Sequence, residues 1–199
     1  MFSKIIKKVL FLHLIFTLII IKTQNMNNVS LKNGLIGGFL IIILSLVSYL
    51  INTPFYLNYF SYISFVLTIY FLYSTGIQVR NNNGGYMSLG LGFKNILLTY
   101  MILTLLTTIF VYILYNFIDK SLLETVTNKF MENLEKGLAQ QGKEDQAEEM
   151  FSFMQKFIPF SSIGITFFYW IINVAIGALI SVIIAAIMKR SNPEFNEFA

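Results

Sequence analysis

A chain of 199 residues that is 56% hydrophobic and only 12% charged is not composed like a soluble domain, in which about a quarter of residues carry charge. Its formal charge of +4 comes from scattered Lys and Arg, with no basic stripe of interleaved stacking aromatics, so nucleic acid is excluded as a partner. Without cysteine there is no disulfide, thiolate metal site or cysteine nucleophile.

Residues 33–79, 95–118 and 157–188 contain no Lys, Arg, Asp or Glu. One such side chain near the centre of a spanning helix costs about 2.5–3.5 kcal/mol, which explains both the silence and the confinement of charge to short windows. The expected fold is all-α: a polytopic membrane helix bundle of four transmembrane helices, with an amphipathic helical hairpin between the third and fourth. The lipid bilayer is its first partner.

Residues 1–25 begin with Lys4, Lys7 and Lys8 and continue into an apolar run over 9–21. That run is short for a span and suits a signal-like core, but no small-x-small cleavage site follows it. An upstream translation start with Met26 as the functional start, an uncleaved signal-like anchor and a fifth helix all fit; the first two are favoured. His13, the single histidine, lies here.

The first transmembrane pair occupies 26–73, with spans at 34–51 and 55–73. Between them Asn52-Thr53-Pro54 forms a tight turn in which proline restarts a helix. Tyr and Phe gather at span ends (Phe55, Tyr56, Tyr59, Tyr70, Tyr73), where the interface should fall. Residues 74–94 read as a Gly/Asn-rich loop bracketed by Arg80 and Lys94, with a turn at 81–85. The third span covers 95–117.

The acidic segment 118–160 is the strongly polar part of the chain. Leu122, Val126, Phe130, Leu134 and Leu138 recur every four residues, with Leu123 and Met131 widening the stripe and charges filling the rest. Gly142 stops this helix, and Ala147, Met150, Phe151, Met154, Phe157 and Ile158 mark a second. The pair reads as a hairpin on or above the bilayer, and it is the surface on which a protein partner would dock. The fourth span covers 161–188, and 189–199 form a C-terminal tail.

Four spans from Met26 place both termini on one side with Lys32, Arg80, Lys94, Lys189 and Arg190. The hairpin side holds five lysines and eight carboxylates. The positive-inside rule counts Lys and Arg, and by bare count the sides tie. The density of basic residues in short flanks orients both termini to the cytoplasm and the hairpin outside.

Small residues recur every four positions on the fourth span: Asn173, Gly177, Ser181 and Ala185. Gly34 and Gly38 do so on the first. Such faces let helix backbones approach closely, either within one chain or along a homo-oligomer seam. Packing within the chain is the favoured reading. Asp145, Glu148 and Glu149 share a helix face, which could in principle bridge a cation, but without a Gly-turn loop they read as a solvated face. The sequence offers no Ser–His–carboxylate set, no HExxH and no phosphate loop, so no catalytic, metal or cofactor residue is assigned. Thr99, Thr104 and other hydroxyls in the spans read as structural hydrogen-bonding groups.

The order of these features resembles a known family. A Gly-rich first span (LKNGLIGGF), a turn with Arg80, Gly84, Gly85, Tyr86 and Ser88, an acidic insert, and a last span ending in Lys189-Arg190 before Pro193-Glu194-Phe195 carry the likeness. It is similar to the uncharacterised four-pass membrane proteins of Bacteroidota grouped as domain-of-unknown-function family 4199, although Leu89 stands where the pattern has Phe. The resemblance spans about 26–195. It implies a bacterial cytoplasmic (inner) membrane and no activity. The function expected is a non-enzymatic role in interaction or assembly, with a small transporter or permeability component formed by oligomerisation as the alternative.

Overall fold

The computed structural model describes residues 28–140 and 163–190, apart from the side chains of Thr53, Pro54, Phe130 and Leu134. The helices are α1 (Val29–Ile51), α2 (Thr53–Asn82), α3 (Leu89–Ile113), α4 (Lys120–Ala139) and α5 (Ile163–Met188), with a π-helical segment Leu114–Ile118 joining α3 to α4. No strand forms among the described residues; an isolated bridge pairs Met87 with Arg190. Four of the described helices are long and apolar enough to cross a membrane: α1, α2, α3 with its π-helical extension, and α5. The protein is a multi-pass, all-α membrane protein.

Two boundaries differ from the sequence reading. The first span starts at Val29 rather than at residue 34, because the Asn28 side chain accepts hydrogen bonds from the Ser30 and Leu31 amides at 3.1 and 3.2 Å and so caps the helix. The loop expected over 74–94 is mostly helix. α2 continues through Ser74 and Arg80 to Asn82, and α3 begins at Leu89, so the connection shrinks to 83–88. The polar residues here are carried on a helix rather than a loop: Thr75 is fully buried, its hydroxyl bonding back to the Phe71 carbonyl at 2.9 Å, while Ser74, Gln78 and Arg80 are half-buried. Asn52 alone breaks the chain between α1 and α2, with Pro54 in the first turn of α2.

The chain divides into two compact units. In the first, made of 28–107 and 173–190 among the described residues, Ile41 of α1, Phe71 of α2 and Leu103 of α3 form one buried cluster. A second cluster joins Leu72 and Val79 of α2, Ile96 and Tyr100 of α3, and Ile184, Ala185 and Met188 of α5. The outward faces are apolar as well, with Tyr62, Val66, Leu179 and Ile187 all more than 60% exposed. Helices apolar on every side belong in lipid.

A polar network crosses the first unit. The Asn33 amide of α1 donates to the Thr75 hydroxyl of α2 at 3.0 Å, and Thr75 pairs with the Thr99 hydroxyl of α3 at 3.1 Å. The Ser30 hydroxyl donates to Asn95 Oδ1 at 2.8 Å, and Asn95 returns a bond to the Leu91 carbonyl. Neutral groups satisfied in this way tie three helices together without a buried charge.

The second unit spans 108–172. There the Asp119 amide donates to the Leu114 carbonyl at 2.8 Å, closing the wide π turn. Asp119 Oδ1 then caps α4 by accepting from the Ser121 and Leu122 amides. α4 buries Leu122 and Met131 and exposes Glu124, Asn128, Glu132 and Glu135. Lys136 donates to Glu132 one turn earlier and holds that carboxyl below the usual carboxylate range. The second helix expected in the hairpin lies outside the described residues, as do the N-terminal segment 1–25, the tail 191–199 and the Asp145, Glu148, Glu149 face.

Candidate functional site

The glycine faces of α1 and α5 are packing surfaces within the first unit. A Cβ placed on Gly34 would lie 2.8 Å from the Ile102 Cβ and 3.1 Å from the Thr99 carbonyl oxygen. One on Gly38 would meet Leu106 at 2.9 Å. One turn of α1 therefore matches one turn of α3, which is the close approach that a small-x-x-x-small face permits. On α5 Gly177, Ser181 and Ala185 are buried while Asn173 is exposed. Gly177 lies against the ring of Tyr100, and the Ser181 hydroxyl donates to the Gly177 carbonyl at 2.7 Å. Ala185 faces Gly92, whose added Cβ would stand 3.2 Å from its own. These buried residues are occupied inside the chain and offer no free surface for a seam.

The turn motif closes one end of the same unit. Gly84 and Gly85 adopt φ of +68° and +87°, the left-handed region that side chains disfavour. The Gly85 amide donates back to the Arg80 carbonyl at 2.9 Å, a six-residue closure of the kind that ends helices in a Schellman motif. The Asn83 side chain donates to the Tyr86 carbonyl at 3.1 Å. Ser88 caps α3 by accepting from the Leu91 amide at 3.2 Å. Of the five motif residues, Arg80, Gly84, Gly85 and Ser88 thus shape the connection through backbone geometry and capping, and Tyr86 contributes its carbonyl. Beyond them, Met87 and Arg190 exchange two backbone hydrogen bonds of 3.0 Å, which fasten the end of α5 to this turn.

Beside the turn lies an open cleft of about 490 Å³, lined by Asn28, Val29, Val79, Asn82, Asn83, Leu91 and Asn95. Four of the seven are asparagines, contributed by the start of α1, the end of α2 and the start of α3. Asn95 belongs to the cleft and also to the buried network, through its bond to Ser30. The end of the unit that holds the cleft also carries Lys32, Arg80, Lys94, Lys189 and Arg190, and none of these forms an ion pair with another described residue. Chemically the cleft offers amide donors and acceptors in a cationic frame. Among the described residues no group of three His, Asp or Glu side chains comes together as a metal site.

The sequence reading missed Asn28, Asn82 and Asn95 as site residues. The available signal was the recurrence of asparagine at three helix ends that four-span topology brings to one side of the membrane.

No curated protein and no solved structure matches this chain. A family profile does match over residues 32–190, from the start of the first span to the residue that pairs with Met87. The chain belongs to the family described as protein of unknown function (DUF4199).

Proposed function

We propose that this membrane protein is non-enzymatic and works by interaction or assembly in a bacterial cytoplasmic membrane, with both termini in the cytoplasm and α4 outside. The observation that carries this reading is α4 itself. It is a capped, 20-residue amphipathic helix outside the candidate spans, and it buries one apolar side while displaying Glu124, Asn128, Glu132 and Glu135 on the other. Such a face can be read by a partner through charge and hydrogen bonding. The basic residues clustered at the opposite helix ends support the orientation, because Lys and Arg are retained on the cytoplasmic side.

A transporter assembled along α5 is the less favoured reading, since Gly177, Ser181 and Ala185 are packed inside one chain. Quantitative co-purification from native membranes tests the choice. Wild type should recover a reproducible set of proteins that a Glu124→Lys, Glu132→Lys, Glu135→Lys variant loses while remaining inserted. Equal recovery by both would refute the role of α4. A homo-oligomer that supports solute flux in liposomes would establish the alternative.

A further inference from the structure

The asparagine-lined cleft has the chemistry of a headgroup site. We infer that it binds the phosphate-bearing headgroup of an anionic phospholipid, independently of any protein partner at α4. Four observations carry this inference.

The first is position. The cleft is built from the start of α1, the end of α2 and the start of α3, all of them candidate spans, so it lies where the bilayer's headgroups lie. The second is size. About 490 Å³ falls within the 300–1,000 Å³ range of small-ligand pockets, and the cleft is broadly open rather than enclosed, as access from a bilayer requires.

The third is the division of its walls. Val29, Val79 and Leu91 supply an apolar side against which a glycerol backbone and acyl stem can rest. Asn28, Asn82, Asn83 and Asn95 supply the polar side. Much of that polar capacity is already used: Asn28 Oδ1 caps α1, Asn83 Nδ2 holds Tyr86, and both ends of the Asn95 amide are bonded. What faces a ligand is therefore the amide NH2 of Asn28 and the side chain of Asn82, an exposed residue that makes no side-chain bond to another described residue. Amide N–H groups suit phosphate oxygens, which only accept.

The fourth is charge. Lys32 lies one turn along α1 from Asn28, Arg80 one turn before Asn83 at the end of α2, and Lys94 one turn beyond Leu91 on α3, so each neighbours a lining residue on its own helix. Three cations flank the lining residues, and none of the described residues of this unit is a carboxylate. The helix dipoles do not decide the sign, because α1 and α3 start here while α2 ends here. The side chains do. Basic pockets between spanning helices on the cytoplasmic side recognise anionic headgroups on this principle.

Native mass spectrometry of the full chain tests the inference after purification in detergent with phosphatidylglycerol, phosphatidylcholine or inorganic phosphate added singly. Wild type should retain phosphatidylglycerol in preference to phosphatidylcholine. Asn82→Asp, which keeps the side chain's shape and adds an anion at the cleft, should reduce that retention roughly tenfold, the scale of one lost charge-assisted hydrogen bond. Lys94→Gln is a second variant and should also reduce it, so the inference remains testable if Asn82→Asp folds poorly. Asn133→Asp, on α4, should retain lipid like wild type. Equal retention of both lipids, or equal retention by wild type and both cleft variants, would overturn the assignment. Displacement of phosphatidylglycerol by inorganic phosphate at comparable concentration would overturn the lipid as source and identify a soluble phosphate instead.

Discussion

Replacing Gly177 with Leu inserts a branched side chain where α5 lies against Tyr100. Even the first added carbon would fall into the Tyr100 ring, meeting its Cδ1, Cε1 and Cζ atoms. That ring is 8% exposed and belongs to a cluster with Leu72, Ile96, Ile184 and Met188, so it cannot swing aside without disturbing α2 and α5. Forcing an aromatic side chain about 30° off its rotamer costs about 0.5–1.5 kcal/mol. Overpacking a filled core costs about 1–3 kcal/mol. The second figure is the expectation for Gly177→Leu, because both the ring and the helix must move.

Thermal unfolding and size-exclusion chromatography in detergent provide the assay. Gly177→Leu should lower the stability of the monomer, whereas Ile183→Leu, at a position 59% exposed, should not. A double-mutant cycle with Tyr100→Leu localises the effect. Removing the ring should relieve part of the penalty, giving a coupling of about 0.5–3 kcal/mol. Wild-type behaviour of Gly177→Leu in both measurements would refute the packing argument. Additive costs in the cycle would show that the clash lies elsewhere.

Thr75→Val keeps the side chain's shape but removes the hydroxyl that accepts from Asn33 and pairs with Thr99. It should cost about 1–3 kcal/mol of unfolding free energy by leaving a buried donor unpaired, and Thr75→Ser, which keeps the hydroxyl and removes the methyl, should lose less; a larger loss from Thr75→Ser than from Thr75→Val would assign the position to packing and refute the role of the hydroxyl. Gly85→Ala should cost about 1 kcal/mol from backbone conformation alone, since φ is +87° and nothing lies within 4 Å of the added carbon. Gly90→Ala, in open space on α3, should be stabilising by about 0.4–1 kcal/mol in the same thermal assay, and the opposite ranking would refute this assignment of backbone roles.

The spans were legible because charge is absent from them, and α4 was legible because its charges keep to one face. The polar first turn of α1 and the Ser74–Arg80 stretch were misread for a single reason. Asn28, Ser30, Asn33 and Thr75 look like loop residues in composition, yet they are helix caps and members of a buried network. Their partners lie up to 69 positions away in sequence, as where the Thr99 hydroxyl donates to the Ser30 carbonyl, so no local window contains the information. The Gly177 stripe was visible in its spacing. Tyr100 as its counterpart was not, because that pairing depends on the relative register of α3 and α5. The cleft was hidden likewise, since each asparagine is ordinary at a helix end and only topology gathers them.

Cysteine-free sequence makes sidedness directly measurable. Asn81 at the end of α2 and Asn133 on α4 are both exposed, and each can be replaced singly by Cys. With an impermeant maleimide added to intact spheroplasts, Asn133→Cys should label and Asn81→Cys should label only after lysis. The reverse pattern would invert the orientation and leave the spans intact. Labelling of both positions from the same side would contradict a chain that crosses the membrane between α2 and α4.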